Sequence, residues 1–269
     1  MTTIFALLLA LAAQEGKRPA FTTGTSDFTI DTSSKDLCDP EEIKARFRAS
    51  DKVGPYDIKQ EKFKLVVPKS FAPAAKGWGL FVFISADDSP GLPAEYEPIL
   101  EKRKLLAVAA YKSGNGRNIF DRFRLAIDGA VHLQKRFNLD TNRMYVSGFS
   151  GGARTASMLA VAYADLFSGA IPLCGVNFYT EIPSEPGKHW PIGYIPVNEA
   201  LAIAKSKGRY VLVTGEKDFN LANTKAVFEH GFKKEGFKNA KLIEVPGMAH
   251  SPCPAEWLEK GLDFLDKPK

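Results

Sequence analysis

The sequence predicts an α/β fold in which a mostly parallel central sheet is covered by helices on both faces. Short apolar runs alternate with segments whose apolar residues recur at helical spacing, which is the order typical of such sheets. Several of the runs are almost wholly apolar, as expected for strands that are buried on both sides. The chain has 269 residues, 45% of them hydrophobic, and this is enough for one sizeable core.

The apolar runs predict seven strands, at residues 62–67, 80–85, 105–110, 143–147, 169–173, 210–214 and 241–245. Helices are predicted between them, for example where Phe120, Phe123 and Ile127 recur, and a last helix is expected near the end of the chain. We therefore expect one catalytic domain over residues 61–269.

The first residues predict an export signal. The uncharged run at residues 4–13 is too short to cross a bilayer as a helix, and Ala10 and Ala12 are small residues of the kind that a signal peptidase accepts. We expect residues 1–13 to be a signal peptide and the mature protein to be periplasmic or secreted, without a membrane span. A buried N-terminal strand or helix is the alternative. Residues 14–60 are polar and turn-rich, and we expect them to form an extension packed on the core.

Charge and cysteine usage narrow the class of protein. Thirty-six Lys and Arg against thirty-one Asp and Glu give a net charge of +5, but the basic residues are scattered singly, so no nucleic-acid partner is expected. Cys38, Cys174 and Cys253 allow at most one internal disulfide, and three separate buried thiols fit equally well. Histidines and cysteines never cluster at ligand spacing, so neither a metal nor another cofactor is predicted.

Residues 148–152 have the pattern Gly-x-Ser-x-Gly, with Ser150 at its centre. In this motif the glycines allow a sharp turn from strand to helix, which leaves the serine side chain exposed. The context agrees, because a β-type run precedes the motif and a strong helix-forming segment follows it. The N-terminus of such a helix also directs free N–H groups towards a developing oxyanion.

A serine hydroxyl needs a general base, and in this arrangement the partners follow in the order serine, acid, histidine. Asp218 lies just after the predicted strand 210–214, and His250 follows the next predicted strand. Two alternatives stay open for the acid: Glu216 is a nearby rival, and Asp218 could instead cap the helix that follows it. The other histidines fit less well, since His132 and His230 fall in predicted helices.

Three segments together resemble a known superfamily: residues 145–152, 214–220 and 246–250. They look like the α/β-hydrolase superfamily and, more narrowly, are similar to exported esterases grouped with polyhydroxybutyrate depolymerases and feruloyl esterases. The likeness covers about residues 62–266. It implies an α/β-hydrolase fold with Ser150 as nucleophile, Asp218 as acid, His250 as base and the Gly151 backbone N–H as an oxyanion donor.

The sequence departs from the family pattern at the second oxyanion donor, which usually follows a strand ending in a His-Gly pair. Here the corresponding strand is followed by Ala86, Asp87 and Asp88. The backbone N–H of Ala86 or Asp87 could still serve, and loss of one donor lowers the rate by roughly 10² to 10³. We expect both carboxylates to face outward.

The segment at residues 175–208 is long and rich in Pro, Gly and aromatic residues, as in a lid or binding loop, although it could simply cover the edge of the sheet. Four aromatic residues are candidates for a substrate cleft, with ordinary packing as their alternative: Phe149, Phe178, Tyr179 and Trp190.

The predicted reaction is hydrolysis of a carboxylic ester, in a small molecule or a polymer, through an acyl-enzyme on Ser150. One alternative is a serine peptidase that acts on small peptides. Another is a binding protein that kept the fold while its catalysis decayed. The sequence gives no indication of the oligomeric state.

Overall fold

The computed structural model describes residues 22–267, so the segment predicted as a signal peptide lies outside the described residues. Eight strands form one sheet in the order β1-β2-β4-β3-β5-β6-β9-β10, and two short strands form a separate hairpin. The strands are β1 Gly24–Thr29, β2 Lys62–Val67, β3 Gly79–Ile84, β4 Leu105–Ala110, β5 Met144–Phe149, β6 Gly169–Leu173, β7 Ile182–Pro183, β8 His189–Trp190, β9 Arg209–Gly215 and β10 Ala240–Val245.

The sheet is mostly parallel, as predicted. Only β2 runs against its neighbours β1 and β4, and every other pairing is parallel. Within residues 22–267, eight α-helices accompany it: α1 Lys35–Cys38, α2 Pro40–Phe47, α3 Glu97–Lys102, α4 Ile119–Phe137, α5 Gly151–Ala162, α6 Asn198–Lys207, α7 Leu221–Ala226 and α8 Ala255–Leu265. A π-helical turn, Val227–Lys233, continues α7.

Alternating side chains of the central strands divide the core into two layers. Leu80 and Val82 of β3 pack with α2, α4 and α5 on one face, whereas Phe81 and Phe83 pack with α3 and α8 on the other. Successive residues of a strand point to opposite faces, so a strand between two helix layers must be apolar throughout. The predicted α/β architecture with helices on both faces is confirmed.

The first strand was not predicted. Residues 24–29 fall in the segment expected as an extension, yet they pair with β2 at the edge of the sheet. Their side chains alternate between partly buried and exposed, because an edge strand has one face to solvent. Gly, Ser and Asp are also poor strand formers, so this short polar sequence carries only a weak signal.

Asp128, in the middle of α4, anchors the N-terminal segment to the core. Its buried carboxylate accepts hydrogen bonds from the Ser33 hydroxyl at 2.8 Å, the Ser34 backbone N–H at 2.6 Å and the Tyr56 hydroxyl at 3.0 Å. Burial together with the charge of Asp128 raises the pKa of Tyr56 above its ordinary range, so that hydroxyl stays a donor. One carboxylate of α4 therefore binds three residues of the segment that precedes β2.

Replacing Asp128 by Ala is expected to lower the free energy of unfolding by about 3 kcal/mol, since hydrogen bonds to a charged group are worth about 1.5–3 kcal/mol each and do not add fully. Urea unfolding followed by circular dichroism would measure the loss. Glu185→Ala is a control because Glu185 makes an ion pair with Lys188 in which both side chains are mostly exposed, and its loss should cost at most about 1 kcal/mol. Equal losses in the two variants would contradict an anchoring role.

All three cysteines are buried, and no disulfide joins them within residues 22–267. Of the two possibilities left by the sequence, the structure therefore has three separate thiols. Across the same residues, no helix combines the length and the apolar character needed to span a bilayer.

Candidate active site

Ser150 occupies a strained turn between β5 and α5. Its backbone has φ 53° and ψ −116°, a conformation that residues other than glycine rarely adopt. A Cβ on Gly152 would lie 1.9 Å from the Ile84 carbonyl oxygen, and one on Gly148 would lie 2.5 Å from the same atom. Both positions must therefore be glycine, because the turn is pressed against the end of β3. The predicted strand, turn and helix around the serine are all present.

The three side chains predicted to act together lie in one hydrogen-bonded chain. The Ser150 Oγ and the His250 Nε2 are 2.9 Å apart, and the His250 Nδ1 is 2.8 Å from the Asp218 Oδ1. An ionised carboxylate only accepts hydrogen bonds, so Nδ1 carries a proton and Nε2 is left to accept from the serine. This is the tautomer that a general base for Ser150 requires.

The Asp218 carboxylate is fully buried and fully hydrogen-bonded. The Thr214 hydroxyl donates to its Oδ2 at 2.8 Å, and the Asn220 backbone N–H donates to its Oδ1 at 3.0 Å. Burial alone would raise the pKa of Asp218, but these bonds and the one from His250 outweigh it and hold the pKa below the ordinary value. The rival acid Glu216 instead accepts from the Gly247 N–H, at 2.7 Å.

Arg154, one turn along α5 from Ser150, is hydrogen-bonded to the loop that contains Asp218. Its guanidinium donates to the Asn220 Oδ1 at 3.0 Å, to the Asn177 Oδ1 at 3.0 Å and to the Val176 carbonyl at 3.1 Å. Burial lowers the pKa of Arg154, and the charge of Asp218 partly offsets this. Sequence reasoning missed this residue because its partners lie 22 to 66 positions away.

By their place in the chain, two backbone N–H groups near Ser150 are the candidates for binding an oxyanion, as the sequence predicts. Gly151 opens α5, and Ala86 follows β3. The other predicted candidate, Asp87, already donates its N–H to the Ser85 hydroxyl at 3.0 Å. Its side chain and that of Asp88 are exposed, which is the orientation expected from the sequence. This geometry favours Ala86 over Asp87 as the second donor.

A buried arginine is hydrogen-bonded to the loop that follows β3. Arg122 of α4 donates from Nη2 to the Ser85 carbonyl at 3.0 Å and from Nε to the Ser113 carbonyl at 2.7 Å. Burial lowers the pKa of Arg122 to about 10, and among the described residues no carboxylate pairs with it. The loops after β3 and β4 are thereby tied together, which the sequence pattern did not indicate.

The four aromatic candidates for a substrate cleft lie in different surroundings. The ring of Phe149 lies 4.9 Å from that of His250, next to the hydrogen-bonded chain. Phe178 is buried against Tyr179, and the Tyr179 hydroxyl donates to Glu235 at 3.0 Å. Trp190 is half-buried and lines a groove of about 550 Å³ between the β7–β8 hairpin and α7. The structure thus brings only Phe149 against the histidine.

Phe219, which the sequence did not single out, contacts the same histidine. Its ring is 76% exposed and its centroid lies 4.0 Å from that of His250. The residue directly follows Asp218, so its position is fixed by the turn that carries the acid. An apolar ring kept in solvent beside the base is placed to contact a bound substrate.

Phe219→Ala is expected to lower kcat/KM for an ester by roughly 2- to 12-fold, the equivalent of one aromatic contact worth about 0.5–1.5 kcal/mol. Because the ring is mostly exposed, the midpoint of thermal unfolding should move by no more than about 2 °C. Steady-state kinetics and calorimetry would measure both. Ile192→Ala, at another exposed apolar side chain, should change neither, and an equal kinetic loss there would contradict a specific role for Phe219.

One group of side chains could offer ligand atoms to a metal ion. The Cys174 sulfur and ligand atoms of Asp218 and His250 all lie within 4.8 Å of one another. The sequence gives no sign of this group because its members are far apart along the chain. Burial raises the pKa of the Cys174 thiol to about 12, so without an ion the sulfur keeps its proton at neutral pH.

Solved structures of several hydrolases share this fold. S-formylglutathione hydrolase from Staphylococcus aureus aligns with a TM-score of 0.59 at 13% identity, over 79% of this chain and 95% of that chain. The feruloyl esterase module from Clostridium thermocellum aligns with a TM-score of 0.57 at 13% identity, over 76% and 82%. Esterase 2 from Thermogutta terrifontis gives 0.55 at 19% identity, over 79% and 90%.

The fold of this chain is therefore that of the α/β hydrolases. The sequence itself matches no protein-family model and no curated protein.

Proposed function

We propose that this protein is a serine hydrolase that cleaves carboxylic ester bonds through an acyl-enzyme. The observation that carries the proposal is the hydrogen-bonded chain from Ser150 through His250 to Asp218, placed on a strained turn at the carboxyl edge of the sheet. Ligands of open α/β sheets bind at this edge. The structural neighbours whose names include esterases agree with the proposal.

In the first half of the reaction, the Ser150 Oγ attacks the ester carbonyl carbon and its proton passes to the His250 Nε2. The carbonyl π electrons move onto oxygen, and the N–H groups of Gly151 and Ala86 donate hydrogen bonds to the resulting oxyanion. The C–O bond to the alcohol then breaks, and His250 returns the proton to the leaving oxygen. Asp218 holds the imidazole in the required tautomer and stabilises the imidazolium that forms.

In the second half, water attacks the acyl-enzyme with His250 again as base, and the acid is released as Ser150 regains its proton. The proton transfers between Ser150 and His250 use a contact already present, and the substrate and water are the added components. The exposed ring of Phe219 and the half-buried ring of Phe149 flank the base, so an acyl or alcohol group with an apolar portion suits the entrance.

The test is hydrolysis of p-nitrophenyl acetate, butyrate and octanoate by the purified protein at pH 7 to 9, together with labelling by a fluorophosphonate probe. We expect turnover of at least one ester, with a single adduct located by mass spectrometry on Ser150. The matched p-nitroanilide of butyrate separates the peptidase alternative, because an esterase should cleave it far more slowly. A folded protein that neither turns over an ester nor takes the probe would favour the binding-protein alternative.

A further inference from the structure

The loop between β4 and α4 lies flat against the loop that follows β3. The Asn115 backbone N–H donates to the Ala86 carbonyl at 2.9 Å, and the Lys112 N–H donates to the Asp88 carbonyl at 2.7 Å. A Cβ on Gly114 would lie 2.8 Å from the Asp87 carbonyl carbon, so the two backbones are in direct contact. Asn115 is thereby fixed beside one of the proposed oxyanion donors.

The side chain of Asn115 reaches the other donor. An ideal Cβ on Gly151 would lie 1.8 Å from the Asn115 Oδ1 and 2.9 Å from its Nδ2. The carboxamide therefore occupies the space that a side chain at position 151 would need, against the first residue of α5. This explains why the residue after Ser150 is glycine.

The carboxamide is also available to a ligand. Asn115 is exposed, and its side chain makes no hydrogen bond to another residue in the part of the chain that the structure describes. The Oδ1 is the atom nearest to Gly151, which leaves the Nδ2 as the group farther from the helix. Asn115 contacts both Ala86, through its backbone, and Gly151, through its carboxamide, and a neutral amide donor there suits a developing negative oxygen.

We propose that the Asn115 side chain is a third hydrogen-bond donor to the oxyanion, acting with the backbone N–H groups of Gly151 and Ala86. The inference rests on the proposed esterase function. When the Ser150 Oγ bonds to the carbonyl carbon and the C=O π bond breaks, the oxygen gains a full negative charge and accepts from Nδ2. A side-chain donor here compensates for the absence of the family's usual pattern after β3.

If the Asn115 side chain only filled space, its substitution would have a different result from the loss of a hydrogen-bond donor. The loop is held by the backbone N–H of Asn115 and not by its carboxamide, so removing the side chain leaves that hydrogen bond intact. Asn115→Ala should fold as the wild type does, and Asn115→Asp keeps the shape while replacing the donor by a carboxylate. The two variants therefore separate hydrogen-bond donation from space filling.

The experiment compares wild type, Asn115→Ala, Asn115→Asp and the loop control Lys112→Asn. We expect kcat for p-nitrophenyl butyrate to fall roughly 10²-fold in Asn115→Ala and at least as much in Asn115→Asp, with KM within about threefold. The Kd of an alkyl trifluoromethyl ketone, which adds to Ser150 as a tetrahedral anion, should rise by the factor by which kcat/KM falls. Lys112→Asn should match wild type in both, because Lys112 lies outside the site and Asn tolerates its positive φ.

A kcat of Asn115→Ala within threefold of wild type, or a fall in kcat with unchanged ketone binding, would overturn the inference. Ketone binding is measured by calorimetry and does not depend on turnover. A wild type that binds the ketone more tightly than Asn115→Ala but hydrolyses no ester would contradict the proposed function and leave the donor supported. If wild type hydrolyses esters and binds the ketone no more tightly than Asn115→Ala does, the third donor is contradicted and the proposed function still stands.

Discussion

Ser150→Ala is expected to lower kcat for p-nitrophenyl butyrate by roughly 10⁶-fold, with the protein still folded. In the proposed mechanism the Ser150 Oγ forms the bond to the acyl group, and loss of the nucleophile in a hydrogen-bonded triad costs about as much as loss of all three members. Some rate above the uncatalysed reaction, roughly 10³ to 10⁴, can persist because the oxyanion donors still bind the substrate. The measurement is steady-state hydrolysis, with active sites of the wild type counted by fluorophosphonate titration and the concentration of folded Ser150→Ala determined by absorbance and circular dichroism.

Ser147→Ala is the matched control for this variant. Ser147 precedes Ser150 by three residues, and its buried hydroxyl donates to the Ile171 carbonyl at 2.5 Å within the sheet. It should cost some stability and leave kcat within about threefold of wild type, since the hydroxyl does not reach His250. A Ser150→Ala variant that retains more than about one-hundredth of the wild-type rate would place the nucleophile elsewhere.

Asp218→Asn is expected to lower kcat by roughly 10⁴-fold with little change in KM. The amide can donate to the His250 Nδ1, which would then place the ring proton on Nε2 and leave no lone pair for the Ser150 hydroxyl. Glu216→Gln is the control, because Glu216 contacts the Gly247 N–H and not the histidine. A large loss in Glu216→Gln with activity retained in Asp218→Asn would reverse the assignment of the acid.

A comparison of wild type with Asp218→Asn also tests the lowered pKa of Asp218. A carboxyl group whose pKa is lower in the folded than in the unfolded protein adds stability above its unfolded pKa, about 3.9, and this is lost as the pH falls through the folded value. The difference in unfolding free energy between wild type and Asp218→Asn should therefore shrink on acidification below about pH 4. Urea unfolding from pH 7 to 3 would measure it.

The fold was predictable because seven strands of the main sheet are apolar on both faces or bordered by clear turns. The strand that was not predicted, Gly24–Thr29, lies at the edge of the sheet, where one face meets water and fewer residues are apolar. The hairpin of β7 and β8 also has no signal of its own, since each strand has two residues.

In the site, the order of Ser150, Asp218 and His250 along the chain led to three side chains that prove to be hydrogen-bonded neighbours. Their catalytic roles stay predictions until the variants are measured. Asn115, Arg122 and Arg154 could not be found in this way, because each acts through loops that meet only when the sheet has closed.

The hydrogen bond between Ser150 and His250 joins residues 100 positions apart, and β6 and β9 must be in place between them. A nascent chain that has folded as far as the turn after β9 would hold Ser150 and Asp218, the proposed nucleophile and acid, but not yet His250, the proposed base. Contacts of such long sequence separation form late in folding, because the entropy cost of closing the intervening loop must be overcome first. Ester hydrolysis would thus require the completely folded domain, and a partly folded intermediate would show no turnover in the assay.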